Sequence, residues 1–227
     1  MIRAGDLVLF QGDSITDAER SREAAAPNVR AGLGSGYAGL IAAQLLHDRP
    51  ADGLRFLNRG VGGDRVVDLA VRWQAECLEL RPSVLSVLIG VNDTWYRFHN
   101  PAAAVTVPDY VRVYRRLLEE TREALPNIRI VLCEPFVLLC GAISVQWLPE
   151  MAERRAAVRD LAADFGAVFV PFQEAFDEAA RRPSSPEYWA DDGVHPTPAG
   201  HWLMARTWLR ASGSSAMSKN AIREQAC

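Results

Sequence analysis

Short apolar runs alternate along the chain with longer stretches whose apolar residues recur every three or four positions. The runs at 7–10, 54–57, 84–89, 128–132 and 168–170 are brief, and most are rich in Val, Ile or Leu. That is the pattern of strands covered on both faces. Residues 37–46 have helical spacing. So does the stripe Val66, Leu69, Ala70, Trp73, Cys77, Leu80. Tyr110, Tyr114, Leu117, Leu118, Thr121 and Leu125 form another stripe, and Met151, Val158, Leu161, Ala162 and Phe165 a further one. A short helix is predicted within 171–180 and a last one at 198–209. This β/α alternation predicts an α/β protein with a mostly parallel sheet between two helical layers. Two segments break the rhythm. Residues 20–36 predict a long loop. Residues 212–227, with Gly213, several serines and mixed charge, predict a disordered tail beyond a single domain at 1–211.

The length of 227 residues suits one α/β domain with a full core. A net charge of −3 gives no electrostatic reason to expect nucleic acid or an anionic membrane as partner. No run is long and apolar enough to span a bilayer, and the first residues do not read as a secretory leader. Cys77, Cys133, Cys140 and Cys227 show no CxxC spacing. They read as reduced thiols, which predicts a cytoplasmic protein.

The polar motifs fall in a regular place. The first strand runs into Gly12-Asp13-Ser14, the second into Asn58-Arg59-Gly60-Val61-Gly62-Gly63, and the third into Gly90-Val91-Asn92-Asp93. Parallel strands finish on one edge of a sheet, and ligands bind there. A fourth block, Asp192-Gly193-Val194-His195, precedes the last helix.

Those residues supply the parts of acyl transfer. A serine hydroxyl is a weak nucleophile until a base takes its proton, and His195 can serve Ser14 as that base. Asp192, three residues earlier, can turn back to the imidazole Nδ1–H and fix its tautomer. The Ser14 N–H, the Gly63 N–H and the Asn92 amide are candidate donors to the developing oxyanion. Asp13, Asp17 and Asp93 read as structural, as do His47 and His201.

With these four blocks in this order, the sequence resembles the GDSL or SGNH hydrolase family from residue 7 to about residue 209. The resemblance implies the flavodoxin-like SGNH fold, a three-layer α/β/α sandwich with a five-stranded parallel sheet. It implies Ser14 as nucleophile, Gly63 and Asn92 as oxyanion donors beside the Ser14 N–H, and Asp192 and His195 completing the triad. It implies metal-independent ester hydrolysis through an acyl-enzyme, with no cofactor. The stretches Gly12 to Asp17, Asp68-Leu69 with Arg72-Trp73, Ile89 to Trp95 and His195 to His201 look most like the acetylxylan-esterase and carbohydrate-deacetylase branch. That branch implies short acyl groups, mainly acetyl, on a sugar or xylo-oligosaccharide, and a homo-oligomer. Asp191 stands where some members of the branch carry tryptophan.

Trp95, His99 and Trp189 lie within a few residues of the blocks and are candidate substrate contacts. The apolar segment 136–148 is expected to wall the acyl pocket or to bury against another subunit. Two other function classes share these residues. A metal-dependent phosphoesterase could draw on Asp13, Asp17, Asn92, Asp192 and His195, although His195 is the only histidine in a strong block. A non-catalytic carbohydrate-binding or scaffold relative would have no need of the complete set of Ser14, Asn92, Asp192 and His195. Within the hydrolases, a lipase, thioesterase or arylesterase preference is the alternative to deacetylation.

Overall fold

A single parallel sheet organises the computed structural model, which describes residues 1–182 and 184–214. Its strands are β1 (Leu7–Gly12), β2 (Arg55–Asn58), β3 (Val84–Leu88), β4 (Arg129–Cys133) and β5 (Val168–Val170), in the order β2-β1-β3-β4-β5. All four pairings are parallel, and Phe10 on β1 lies between Asn58 on β2 and Ser86 on β3. Nine α-helices are described: α1 (Ser14–Asp17), α2 (Arg30–Leu33), α3 (Tyr37–Asp48), α4 (Val66–Trp73), α5 (Val91–His99), α6 (Val107–Ala124), α7 (Leu148–Asp164), α8 (Phe172–Ala179) and α9 (Pro198–Ala211).

Strand side chains alternate between faces, so each face has its own core. Val8 and Phe10 pack with Tyr37 and Ile41 of α3, Phe172 of α8 and Trp208 of α9. Leu7 and Leu9 pack with Leu69 and Trp73 of α4, Tyr114 and Leu117 of α6 and Val158 of α7. Burial on both sides explains why the strands read as apolar runs rather than as alternating ones. The expected three-layer α/β sandwich with five parallel strands is the observed fold. Among the described residues no helix is long and apolar enough to cross a membrane.

Several local features depart from the expectation. The expected loop at 20–36 contains α2, because the Leu33 carbonyl and its turn are held by the buried Asn58 amide. The helical stripe through Leu80 leaves α geometry after Trp73 and becomes a π turn, Gln74–Leu78. There the Gln11 amide donates to the Glu76 carbonyl at 2.6 Å. Segment 136–148 buries Phe136, Val137, Leu138, Cys140, Ile143 and Trp147 within the chain's own core and exposes Leu139 and Val145. Finally, Ser212 is buried and its N–H closes α9 on the Trp208 carbonyl. The rest of the expected tail, residues 215–227, lies outside the described residues.

The chain runs from β1 outward to β2 and then crosses to β3 on the other side. That reversal opens a crevice beyond the carboxyl ends of β1 and β3, the place where open α/β sheets bind ligands.

Candidate active site

Ser14 follows β1 by one residue and begins α1. The Asp13 carboxylate caps that helix, accepting from the Ile15 N–H at 3.0 Å. Asp13 is wholly buried, and its second oxygen, Oδ2, has no hydrogen-bond partner. Burial pushes its carboxyl up to about 7, against the Ile15 N–H and the nearby His195. Helix α1 is short because Ala18 and Glu19 both take left-handed backbone, with φ of +43° and +62°. Two non-glycine residues in that region cost about 1–3 kcal/mol each and persist only where neighbours hold them. Here the Ser35 N–H and hydroxyl both donate to the Ala18 carbonyl, at 2.9 and 3.1 Å.

The loop after β2 passes directly beneath α1. A Cβ on Gly60 would come within 2.3 Å of the Asp17 N, so only glycine fits there. Buried Asn58 joins the two segments. Its amide donates to the Thr16 carbonyl at 2.6 Å and to the Leu33 carbonyl at 2.9 Å, while its Oδ1 accepts from the Gly60 N–H. Arg72 of α4 is a second clasp, donating to the Gln11 side chain, the carbonyls of Gly12 and Arg59, and the Asp64 carboxylate.

Asn92 and Asp93 open α5 at the end of β3. The Asn92 amide donates to the Asp64 carbonyl at 3.0 Å, and both Asp93 oxygens accept from the Val66 N–H that begins α4. These bonds hold the Gly63–Asp64 turn against Asn92. Burial pushes the Asp93 carboxyl up to about 6 despite Arg154 and the Val66 N–H. The neighbouring Gly62 packs on the nucleophile turn: a Cβ there would lie 3.8 Å from the Ser14 Cβ. Among the described residues, neither the Ser14 N–H nor the Gly63 N–H donates to a protein acceptor.

The fourth block closes the arrangement from the far end of the chain. Ser14 Oγ lies 2.9 Å from His195 Nε2, and His195 Nδ1 lies 2.7 Å from Asp192 Oδ2. The other carboxylate oxygen, Oδ1, accepts from the Val194 and His195 N–H groups. Burial pushes the Asp192 carboxyl up, but these hydrogen bonds outweigh it and hold the group below its ordinary range. Segment 136–148 supports this turn. Leu138 N–H donates to the Gly193 carbonyl and Ala142 N–H to the Asp192 carbonyl. Gly193 has φ of +88°, and a Cβ there would meet the Leu138 carbonyl at 2.5 Å.

Ser14 and His195 face a cavity of about 600 Å³ that also touches Asp17, Glu19, Gly62, His201 and Trp202. Burial pushes His201 down to about 4, which keeps it neutral, and its Nδ1 accepts from the Tyr37 N–H. The structure does not bring the three candidate substrate aromatics into these walls. Trp95 and His99 stack on each other at 4.4 Å, beside Trp147. Trp189 is buried, and its indole N–H donates to the Ser184 hydroxyl. Sequence reasoning singled out neither Trp202 nor Glu19. One sits on a helix and the other in the turn after α1, and nothing local marks their meeting. No group of three or more His, Cys, Asp or Glu side chains converges in a metal-holding arrangement among the described residues.

A serine, an imidazole and a carboxylate linked in series, beside free backbone donors, can carry out acyl transfer. The model of the GDSL-like lipase/acylhydrolase family matches residues 10–203. A putative GDSL-like lipase from Parabacteroides merdae is 42% identical, with a TM-score of 0.91 over 95% of this chain and 99% of that one. The acetylxylan esterase Axe2 of Geobacillus stearothermophilus is 33% identical over 215 residues, 93% of this chain and 96% of its own. Its crystal structure superposes with a TM-score of 0.84. Solved forms of that esterase include catalytic mutants with a serine or a histidine replaced by alanine. LAE5, an α/β hydrolase from the metagenome of Lake Arreo, Spain, is 30% identical with a TM-score of 0.86 over 94% of this chain and 97% of that one.

Proposed function

The chain belongs to the GDSL-like lipase/acylhydrolase family, and from that premise we propose that it is a serine esterase that removes acetyl groups from a sugar or xylo-oligosaccharide through an acyl-enzyme on Ser14. The observation that carries this reading is the unbroken series Ser14 Oγ, His195 Nε2, His195 Nδ1, Asp192 Oδ2, with contacts of 2.9 and 2.7 Å at the mouth of a cavity.

In this mechanism His195 Nε2 takes the Ser14 proton as Oγ attacks the ester carbonyl. Asp192 holds the imidazole in the tautomer whose Nε2 is free, and stabilises the imidazolium that forms. The carbonyl oxygen becomes an oxyanion, received by the Ser14 and Gly63 N–H groups and by the Asn92 amide hydrogen not given to Asp64. Collapse expels the alcohol, which takes the proton from His195. Water then attacks the acyl-enzyme with His195 again as base, releasing the acid and restoring Ser14. The chemistry needs no cofactor and no metal.

Acetyl as the acyl group and an acetylated sugar as substrate follow from likeness to the acetylxylan esterase. The buried, unpaired thiols of Cys77, Cys133 and Cys140 suit a reducing cytoplasm. A homo-oligomer completes the reading, supported by the exposed Leu139 and Val145 beside the Asp192 turn, and light scattering tests it.

Replacing Ser14 by Ala tests the core of this reading. Turnover of an acetyl ester should fall by about 10⁴-fold or more, with the melting temperature little changed. Esterase activity that survives in the folded variant would refute Ser14 as nucleophile.

A further inference from the structure

We propose that Trp202 and Glu19 form the subsite for the alcohol half of the ester, and that this subsite selects an uncharged sugar ring. The inference rests on the esterase reading of Ser14 and narrows it to a substrate class. Five of the six tryptophans are engaged elsewhere. Trp73, Trp147 and Trp208 are fully buried, Trp189 is buried at the loop base, and Trp95 is stacked on His99. Trp202 is 44% exposed, and it lines the cavity that Ser14 and His195 share. It stands about one turn into α9, whose Met204, Ala205 and Trp208 face the core. A helix that sends its inner face into the core has no packing reason to leave an indole in the open.

Glu19 lies in the same cavity. Its carboxylate has no ion-pair or hydrogen-bond partner among the described residues, and left-handed backbone, held through Ala18 by Ser35, fixes its base. Asp17 adds a second carboxylate, which accepts from the Gly62 N–H and lies 3.8 Å from Arg22. A pyranose offers a flat C–H face and a rim of hydroxyl donors. An indole face matches the first and a carboxylate the second. An anionic alcohol would meet two carboxylates, those of Asp17 and Glu19.

The test compares wild type with Trp202→Ala, Trp202→Phe and Glu19→Gln. The substrates are an acetylated methyl xyloside, an acetylated methyl glucuronide and methyl acetate. In Trp202→Ala the ratio of kcat/KM for xyloside over methyl acetate should fall about tenfold, mainly through KM, and Trp202→Phe should restore most of it. Glu19→Gln should lower that ratio by roughly threefold and raise the glucuronide relative to the xyloside. Unchanged ratios in both Trp202→Ala and Glu19→Gln would overturn the subsite. Wild type that cleaves methyl acetate but not the xyloside would overturn it too, leaving the esterase standing. Wild type inert toward every ester would overturn the esterase reading, and the subsite with it.

Discussion

Around Ser14 each polar neighbour has a separable task, and that of the buried Asp13 depends on pH. Below the ordinary carboxyl pKa of 3.8, folded and unfolded chains both hold its proton, so its titration does not change stability there. Between 3.8 and about 7 the folded chain keeps a proton that the unfolded chain has lost, so stability falls as pH rises; above about 7 the cost is constant. Asp13→Asn keeps an oxygen for the Ile15 N–H and removes the titration. Its stability relative to wild type should rise from about pH 4 to pH 7, by on the order of a few kcal/mol, and then level off. Urea melts across that range check it, and a constant difference would contradict it. In the proposed mechanism Asn92 acts on the reaction instead. Asn92→Ala should lower kcat by roughly 10²–10³-fold with little change in KM, and an unchanged kcat would reduce it to a turn residue. Ser14, Asp192 and His195 were legible in the sequence because each sits in a short block after a strand or before a helix. The orphan oxygen of Asp13 was not, since it depends on what closes over the side chain.

Among the elements, the sheet was easy to read and the ends of helices were not. All five apolar runs became strands, and burial of β1, β3 and nearly all of β4 on both faces leaves few polar positions to blur them. Helix α5 was hidden. Its first turn carries Asn92, Asp93 and Thr94, a polar stretch with no apolar stripe, and the Asp93 side chain holds the start of α4. The π turn after α4 was hidden as well, since a tertiary partner, Gln11, takes the Glu76 carbonyl. Asn58 shows how much the loops around α1 depend on one amide. Asn58→Ala strands the Thr16 and Leu33 carbonyls and the Gly60 N–H, and should cost about 2–4 kcal/mol. Denaturant unfolding measures that cost, and a loss under about 0.5 kcal/mol would show that water replaces the amide freely.

At the level of the whole molecule, the strand order does most of the work. Reversal at β1 and β3 carries three strand ends to one rim, and α9 brings the last block back to it, so residues 181 positions apart meet at 2.9 Å. Sequence blocks reveal that convergence because the parallel topology fixes which edge they share. They do not reveal the cavity, whose walls combine Glu19 from a strained turn with Trp202 from α9. Nor do they reveal that segment 136–148 holds the Asp192 turn through the Leu138 and Ala142 N–H groups while burying most of its apolar side chains within the chain. The central claim is that Ser14 is activated by His195 in the folded protein. The most direct measurement is intact mass followed by peptide mapping after exposure to an organophosphonate ester. The account predicts one adduct per chain, carried by the peptide containing Ser14, lost in Ser14→Ala and strongly slowed in His195→Ala. Folded wild-type protein that gains no adduct, or gains it at another residue, would contradict it.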